Sequence, residues 1–345
     1  MPLYMHKNRI PAHVTAQNFC RALDRENPGQ GMLTLALVNN MPYSALEDTE
    51  AQFFELLAAA ASDLPVHVEM FSLPNVPRGE RAQQHLNRFY KSTNEMLGSS
   101  FDGAIITGTE PRESDLRKEP YWNSLTEVLD WADEHTSSAV LSCLAAHAGV
   151  LHSHAIARQP MHDKRFGVFE HQIVTNHALT AGVSNPVSIP HSRWNELSEN
   201  SLLAAGYTVL TKSPEAGVDL FTKQKANSLL VHFQGHPEYG EQTLFKEYRR
   251  DVRRFLRGER ETYPSVPRAY FGAESTQLAD DFRSLAVSRR SEVIFEKFPE
   301  MELIAGLKNN WRSSSVRIYR NWLQILLERK SSSQSTPVMS RVGRG

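Results

Sequence analysis

Uninterrupted apolar runs of strand length alternate with amphipathic stretches of helical length from Met32 to Phe233. Met32–Val38, Phe101–Thr109, the run Ala139-Val140-Leu141 and Leu229–Phe233 have no polar alternation, the pattern of strands covered on both faces. Val66–Phe71 alternates and reads as a further strand. Between them, Ala45–Ala61 carries Leu46, Phe53, Phe54 and Leu57 against Glu47, Asp48, Glu50 and Glu55, with acids in its first half as the helix dipole favours. Gln83–Phe89 and Trp122–Glu134 read as further helices. Strand and helix in alternation predict an α/β fold, a mostly parallel sheet covered by helices on both faces.

After this core the pattern changes. Phe166–Val174 and Asn185–Trp194 suggest antiparallel strands, and Tyr207–Lys212 and Asp219–Thr222 shorter ones. Thr243–Arg257 is a helix with Lys246, Arg249, Arg250, Arg253 and Arg254 on it, read mostly as a solvated face. The organisation expected is an N-terminal arm over 1–31, closed by the turn formers Glu26–Gly31, and a catalytic domain over 32–271. C-terminal helical additions over 272–330 follow, with a closing helix at Trp311–Arg329, and a Ser-rich tail over 331–345 is expected to be disordered.

Composition narrows the function. The 345 residues are 40% hydrophobic, enough for a sizeable core, and a net charge of −1 gives no footprint for nucleic acid. No run is long enough to span a membrane, and the polar, Pro-interrupted opening is unlike a signal peptide. Two cysteines in unlike contexts, Cys20 and Cys143, offer no disulfide framework and fit a reducing cytosol, so a cytoplasmic location is expected. No bound cofactor and no metal site is expected.

The chemistry centres on Cys143. The segment Thr136–Leu151 reads as a strand, a turn of small residues (Ser142, Ala145, Ala146) and a helix, so the cysteine sits at a nucleophile elbow with helical N–H groups toward its sulfur. Taken alone, such a cysteine is equally a small buried thiol in an α/β core. A second stretch changes the balance: Leu229–Phe233 runs into Gln234-Gly235-His236-Pro237-Glu238-Tyr239, which puts His236 just past a strand and turns Glu238 back toward its ring. Cys143, His236 and Glu238 form a candidate triad of thiol nucleophile, proton carrier and orienting carboxylate, at the sheet edge where open α/β folds bind ligands. The strand ending at Thr107-Gly108 offers the Gly108 N–H beside that of Leu144 as an oxyanion hole.

These residues resemble the class I glutamine-amidotransferase-like (flavodoxin-like) fold, and in detail its homoserine O-acyltransferase branch, the homoserine O-succinyltransferases and acetyltransferases of methionine biosynthesis. The stretches that carry the resemblance span almost the whole chain. They include Asn40-Met41-Pro42, Phe101-Asp102-Gly103, Tyr121-Trp122, Lys164 with Gly167–His171, Pro190–Arg193, Gly235–Tyr239, Arg250-Asp251-Val252 and Trp311-Arg312-Ser313. The resemblance implies ping-pong acyl transfer from acyl-CoA (succinyl-CoA or acetyl-CoA as co-substrate) through a Cys143 thioester to the hydroxyl of L-homoserine, with succinyl favoured. It also implies that Ser192 and Arg250 hold the amino-acid end of the acceptor, with Lys164 close by. A homodimer is left open.

Two positions depart from the family pattern. The lysine pair that family members carry after the Met-Pro loop is replaced by Tyr43-Ser44-Ala45-Leu46. Where the family has a small residue for succinyl and a glutamate for acetyl, this chain has Arg112, flanked by Glu110 and Glu113. Arg112 is therefore a candidate partner for the distal carboxylate of a succinyl group. The alternatives are that it bonds Glu110 or Glu113 and narrows an acetyl pocket, or that it lies on the surface. Other readings of the whole chain are an acyltransferase acting on serine or a related amino alcohol, a glutamine-hydrolysing amidotransferase, and a non-catalytic binding protein on the same scaffold.

Overall fold

The computed structural model describes residues 3–24, 29 and 31–334. Its strands are β1 (Leu3–His6), β2 (Cys20–Leu23), β3 (Leu33–Val38), β4 (Val66–Phe71), β5 (Phe101–Ile106), β6 (Thr136–Ser142), β7 (Gln159–Ile173), β8 (Val187–Glu196), β9 (Thr208–Val209), β10 (Thr211–Ser213), β11 (Gly217–Val218), β12 (Leu220–Gln224) and β13 (Leu229–Phe233). The α-helices are α1 (Ala12–Ala16), α2 (Tyr43–Ala61), α3 (Glu80–Phe89), α4 (Thr93–Leu97), α5 (Trp122–His135), α6 (Leu144–His154), α7 (Glu199–Ala204), α8 (Thr243–Leu256), α9 (Ala273–Ser288), α10 (Glu300–Ala305) and α11 (Arg312–Gln334).

Nine strands form one sheet in the order β2-β1-β4-β3-β5-β6-β13-β12-β9. It is parallel from β2 to β13, and β12 and β9 close it antiparallel. Side chains alternate across it as the pleat requires. Leu33, Leu35 and Leu37 face a core shared with α2 and α11, while Ala36 and Val38 face one shared with α5 and α6. The second sheet, β11-β10-β7-β8, is antiparallel.

Both chain ends differ from the expected arm and tail. β1 pairs in parallel with β4 and β2, so the described part of 1–31 extends the sheet. Leu3 and Met5 are buried in its core, which a four-residue strand between polar neighbours does not advertise. At the other end α11 continues through Gln334, and the rest of the expected tail lies outside the described residues. α11 seats on the sheet where Gly103 leaves room: a Cβ there would stand 2.7 Å from Leu326 Cδ1 and 3.0 Å from Trp322 Cζ2. Trp322 Nε1 donates to Ser138 Oγ at 3.0 Å. The additions after α8 are helical and share a core with it, built on Phe245, Tyr248, Phe255, Phe282, Phe298 and Trp311. Among the described residues no helix is long and apolar enough to cross a membrane.

Candidate active site

Sheet register brings the candidate triad together. β6 and β13 are parallel neighbours with Ser142 opposite Phe233, so Cys143 and the loop carrying His236 leave the sheet side by side. Cys143 takes φ 52° and ψ −108°, a left-handed conformation that costs a non-glycine residue roughly 1–3 kcal/mol. Its N–H donates to Phe233 O at 2.8 Å, and α6 starts at the next residue. This is the strained elbow that Ser142, Ala145 and Ala146 suggested.

On the facing loop, Gly235 passes β8 so closely that a Cβ would lie 2.6 Å from Ile189 Cγ2 and 2.8 Å from Pro190 O. Two bonds fix that approach: Gly235 N–H to Asp219 Oδ1 at 2.7 Å and His236 N–H to Pro190 O at 2.8 Å. His236 Nδ1 then lies 2.8 Å from Glu238 Oε1 and, facing an ionised carboxylate, carries the proton. Cys143 lies close enough for its charge to act on the ring. Burial pushes the His236 imidazolium down, but the charges of Cys143 and Glu238 and the bond to Glu238 carry it well above its ordinary value. The site thus favours a protonated ring beside the sulfur. Cys20 is different in kind: burial pushes its thiol up to about 12, which suits an inert core thiol.

Gly108 stands where an oxyanion donor was expected. A Cβ on it would meet Leu144 Cβ at 2.5 Å and Leu144 N at 2.9 Å, so only glycine lets the loop after β5 reach the helix start. The N–H of Leu144 is a first-turn group that no preceding helical carbonyl can take. Asn40 ties the neighbouring loops together, giving N–H to Thr107 Oγ1 at 2.8 Å and Nδ2 to Thr107 O at 2.9 Å while accepting from Leu73 N at 3.0 Å.

Two of the residues expected at the amino-acid end, Ser192 and Lys164, meet on one carboxylate that sequence reasoning missed. Glu247 Oε2 accepts from Ser192 Oγ at 2.6 Å and lies 3.4 Å from Lys164 Nζ. Its Oε1 accepts from Tyr239 OH at 2.8 Å, and the Tyr239 ring stacks on His236 with centroids 4.2 Å apart. Arg250, one helical turn on, donates from Nε to Asp251 Oδ1 at 3.0 Å. Glu247 was hidden because it lies among the arginines of a helix read as a solvated face. Its spacing of three from Arg250 was the available signal.

Arg112 bonds neither Glu110 nor Glu113. Its side chain is exposed and, among the described residues, has no hydrogen-bond or ion-pair partner, while its N–H donates to Glu119 Oε1 at 2.5 Å. Buried Glu119, also unforeseen, takes the Glu113 N–H at 2.6 Å and so folds the loop. Two other cations hold segments near the site. Arg158 holds the same loop through Glu113 O at 3.0 Å and Ser114 O at 3.3 Å. Arg193 is buried and donates to His191 Nδ1 at 3.2 Å, Asn195 O at 2.6 Å and Ala216 O.

Buried His171, His191 and Asp219 converge in a way that could hold a metal ion, with His171 Nε2, His191 Nε2 and Asp219 Oδ2 all lacking a partner. The donor set does not fit one. The guanidinium of Arg193 can only donate, so His191 Nδ1 accepts and the proton of the neutral ring sits on Nε2, the atom a metal would need.

An α/β sheet whose C-terminal edge carries a strained cysteine at a strand-to-helix elbow, beside a histidine ion-paired to a carboxylate, defines the class of fold and site. The homoserine O-succinyltransferase family profile matches residues 18–333. A homoserine O-succinyltransferase of Methylorubrum extorquens is 42% identical over 88% of this chain and 89% of its own. Those of Rhodopseudomonas palustris and Bradyrhizobium japonicum are 40% and 41% identical, over 90% and 86% of this chain and 93% and 90% of theirs. The chain belongs to the homoserine O-succinyltransferase family. Among solved structures, a glutamine amidotransferase from Methylobacillus flagellatus is 11% identical over 86% of this chain and 96% of its own, with a TM-score of 0.47.

Proposed function

We propose that the protein is a cytoplasmic enzyme that transfers a succinyl group from succinyl-CoA to the hydroxyl of L-homoserine, with Cys143 as the acyl carrier. The observation that carries this reading is the Cys143–His236–Glu238 arrangement in a chain of this family. In the first half-reaction Cys143 Sγ attacks the thioester carbonyl, the Leu144 and Gly108 N–H groups receive the developing oxyanion, and the bond to the CoA sulfur breaks. The His236 imidazolium gives its proton to the departing CoA thiolate. In the second, neutral His236 takes the proton of the homoserine hydroxyl, whose oxygen attacks the Cys143 thioester and restores the thiolate–imidazolium pair.

The acceptor's ammonium group is assigned to Glu247, held by Ser192 and Tyr239, and its carboxylate to Arg250 and Lys164, which supply matching charge. The test is intact mass after incubation with succinyl-CoA alone. One succinyl group should appear on the wild type and not on Cys143→Ala, and homoserine should discharge it. No adduct, together with release of ammonia from glutamine, would transfer the site to the amidotransferases.

A further inference from the structure

α8 carries its charge in a stripe. Lys246, Arg249, Arg250, Arg253, Arg254 and Arg257 recur at the spacing of one helical face, while Leu244, Phe245, Tyr248, Val252, Phe255 and Leu256 are buried on the other. The six cations line a cleft of about 410 Å³, with Glu110 and Glu259 as the acids in its wall. Glu110 follows the Gly108 turn that abuts Leu144, so the cleft opens from the side of the elbow. Arg250 marks its inner end. From Glu247 to Arg257 the helix axis runs about 15 Å at roughly 1.5 Å per residue, comparable to an extended pantetheine arm.

Acids hold the row without using it up. Glu300 and Asp251 engage Arg249 and Arg250 through Nε at 2.9 and 3.0 Å, which leaves the terminal nitrogens of both for another acceptor. Among the described residues Arg254 has only Asp251 at 4.0 Å as an ion-pair partner, and Glu292 takes one side of Arg257 at 2.6 Å. Arg253 lies 4.2 Å over the Phe295 ring with its buried Nε unpartnered. Guanidinium forks in a row suit phosphate oxygens, which accept them in pairs.

We propose that this cleft binds the phosphorylated adenosine end of the acyl-CoA donor, with Arg253, Arg254 and Arg257 as phosphate-binding residues. The proposal rests on the acyl-CoA reading for its ligand and on the cleft alone for its chemistry. Phosphates fixed at the far end orient the pantetheine arm toward Cys143, and the amino acid enters from the Ser192 side.

The test compares kcat/KM for a succinyl-CoA and a succinyl-pantetheine thioester, which lacks the nucleotide. Calorimetry of adenosine 3′,5′-bisphosphate binding, with ATP as the competing polyanion, is measured alongside. Arg254→Glu with Arg257→Glu, both at exposed helix positions, should lower the ratio of the two kcat/KM values by about tenfold or more and weaken bisphosphate binding similarly. Arg88→Glu, a single charge reversal of the same kind on α3, should leave the ratio unaltered. An unchanged ratio in the double variant overturns the site, as does ATP binding as tightly as the bisphosphate. Arginine-dependent bisphosphate binding by a wild type that no CoA thioester acylates would keep the site and remove the acyl-transfer reading.

Discussion

His236 Nδ1 stands 2.8 Å from Glu238 Oε1 across the rigid Pro237 turn, and the carboxylate is 4% exposed with its second oxygen unpartnered. Two residues apart in sequence, they are proposed to act as one proton-handling unit, in which the carboxylate sets which ring nitrogen carries the proton and stabilises the imidazolium. Glu238→Gln is expected to slow succinyl transfer by about 10²- to 10⁴-fold. It should also move the limb of the pH–rate profile assigned to the imidazolium to lower pH, since burial lowers that group and Glu238 is one of the two charges raising it. A profile that keeps its position while activity falls would reduce Glu238 to a turn residue.

Glu247 joins three contacts that span the second half-reaction. Glu247→Gln and Ser192→Ala are expected to leave thioester formation from succinyl-CoA within about twofold while slowing discharge by homoserine about 10- to 100-fold, the worth of one or two charge-assisted bonds. Single-turnover mass spectrometry separates the two steps. Equal losses in both would mean that Glu247 supports His236 through the stacked Tyr239 ring and does not hold the acceptor.

What could be read from the sequence follows from how local each signal is. The parallel strands are buried on both faces and so appear as apolar runs. Cys143 is marked by the small residues its backbone bend needs, and His236 and Glu238 by a turn two residues wide. Leu3–His6 was not legible, because a short strand of mixed residues gains its burial from its neighbours β2 and β4. Glu247, Arg158 and Arg193 act through partners far away in the chain, such as Ser192, Glu113, Ser114 and Ala216, and charge along a helix or loop does not say which charges turn inward.

The proposed acyl preference is expected to turn on Arg112. Its exposed guanidinium, free of protein partners among the described residues, is available to the distal carboxylate of a succinyl group, which an acetyl group lacks. Arg112→Ala is expected to lower the succinyl-CoA to acetyl-CoA ratio of kcat/KM by about tenfold, the scale of a charge-assisted hydrogen bond. If the ratio does not move, the carboxylate is held elsewhere, and Arg158, which grips the same loop, is the next residue to change.

Stability should depend on pH through a buried cluster away from the chemistry. Glu50 on α2 is fully buried and receives Tyr90 OH at 2.6 Å, with His85 Nε2 at 2.8 Å and His13 Nε2 at 3.0 Å. Burial alone would raise the Glu50 carboxyl, but the His13 ion-pair contact and the His85 bond hold it below its ordinary value. Burial likewise lowers His85, and the bond and charge of Glu50 outweigh it and raise the imidazolium. The carboxylate's contribution is present above its unfolded pKa and is lost as pH falls through the depressed folded value. That of His85 is present below its unfolded pKa and is lost as pH rises through the raised folded value. Stability should therefore peak between the two, and urea midpoints from about pH 4 to about pH 9 should trace both limbs. Glu50→Gln is expected to cost about 3 kcal/mol near the peak, as removal of one partner from a buried charge cluster does, and to flatten the curve. The loss should reach the active-site side, because Tyr90 OH also receives Asn39 Nδ2 at 3.1 Å and Asn39 Oδ1 accepts the Met41 N–H at 3.2 Å beside Asn40. An unchanged pH profile in Glu50→Gln would show that the cluster is held by packing and not by charge.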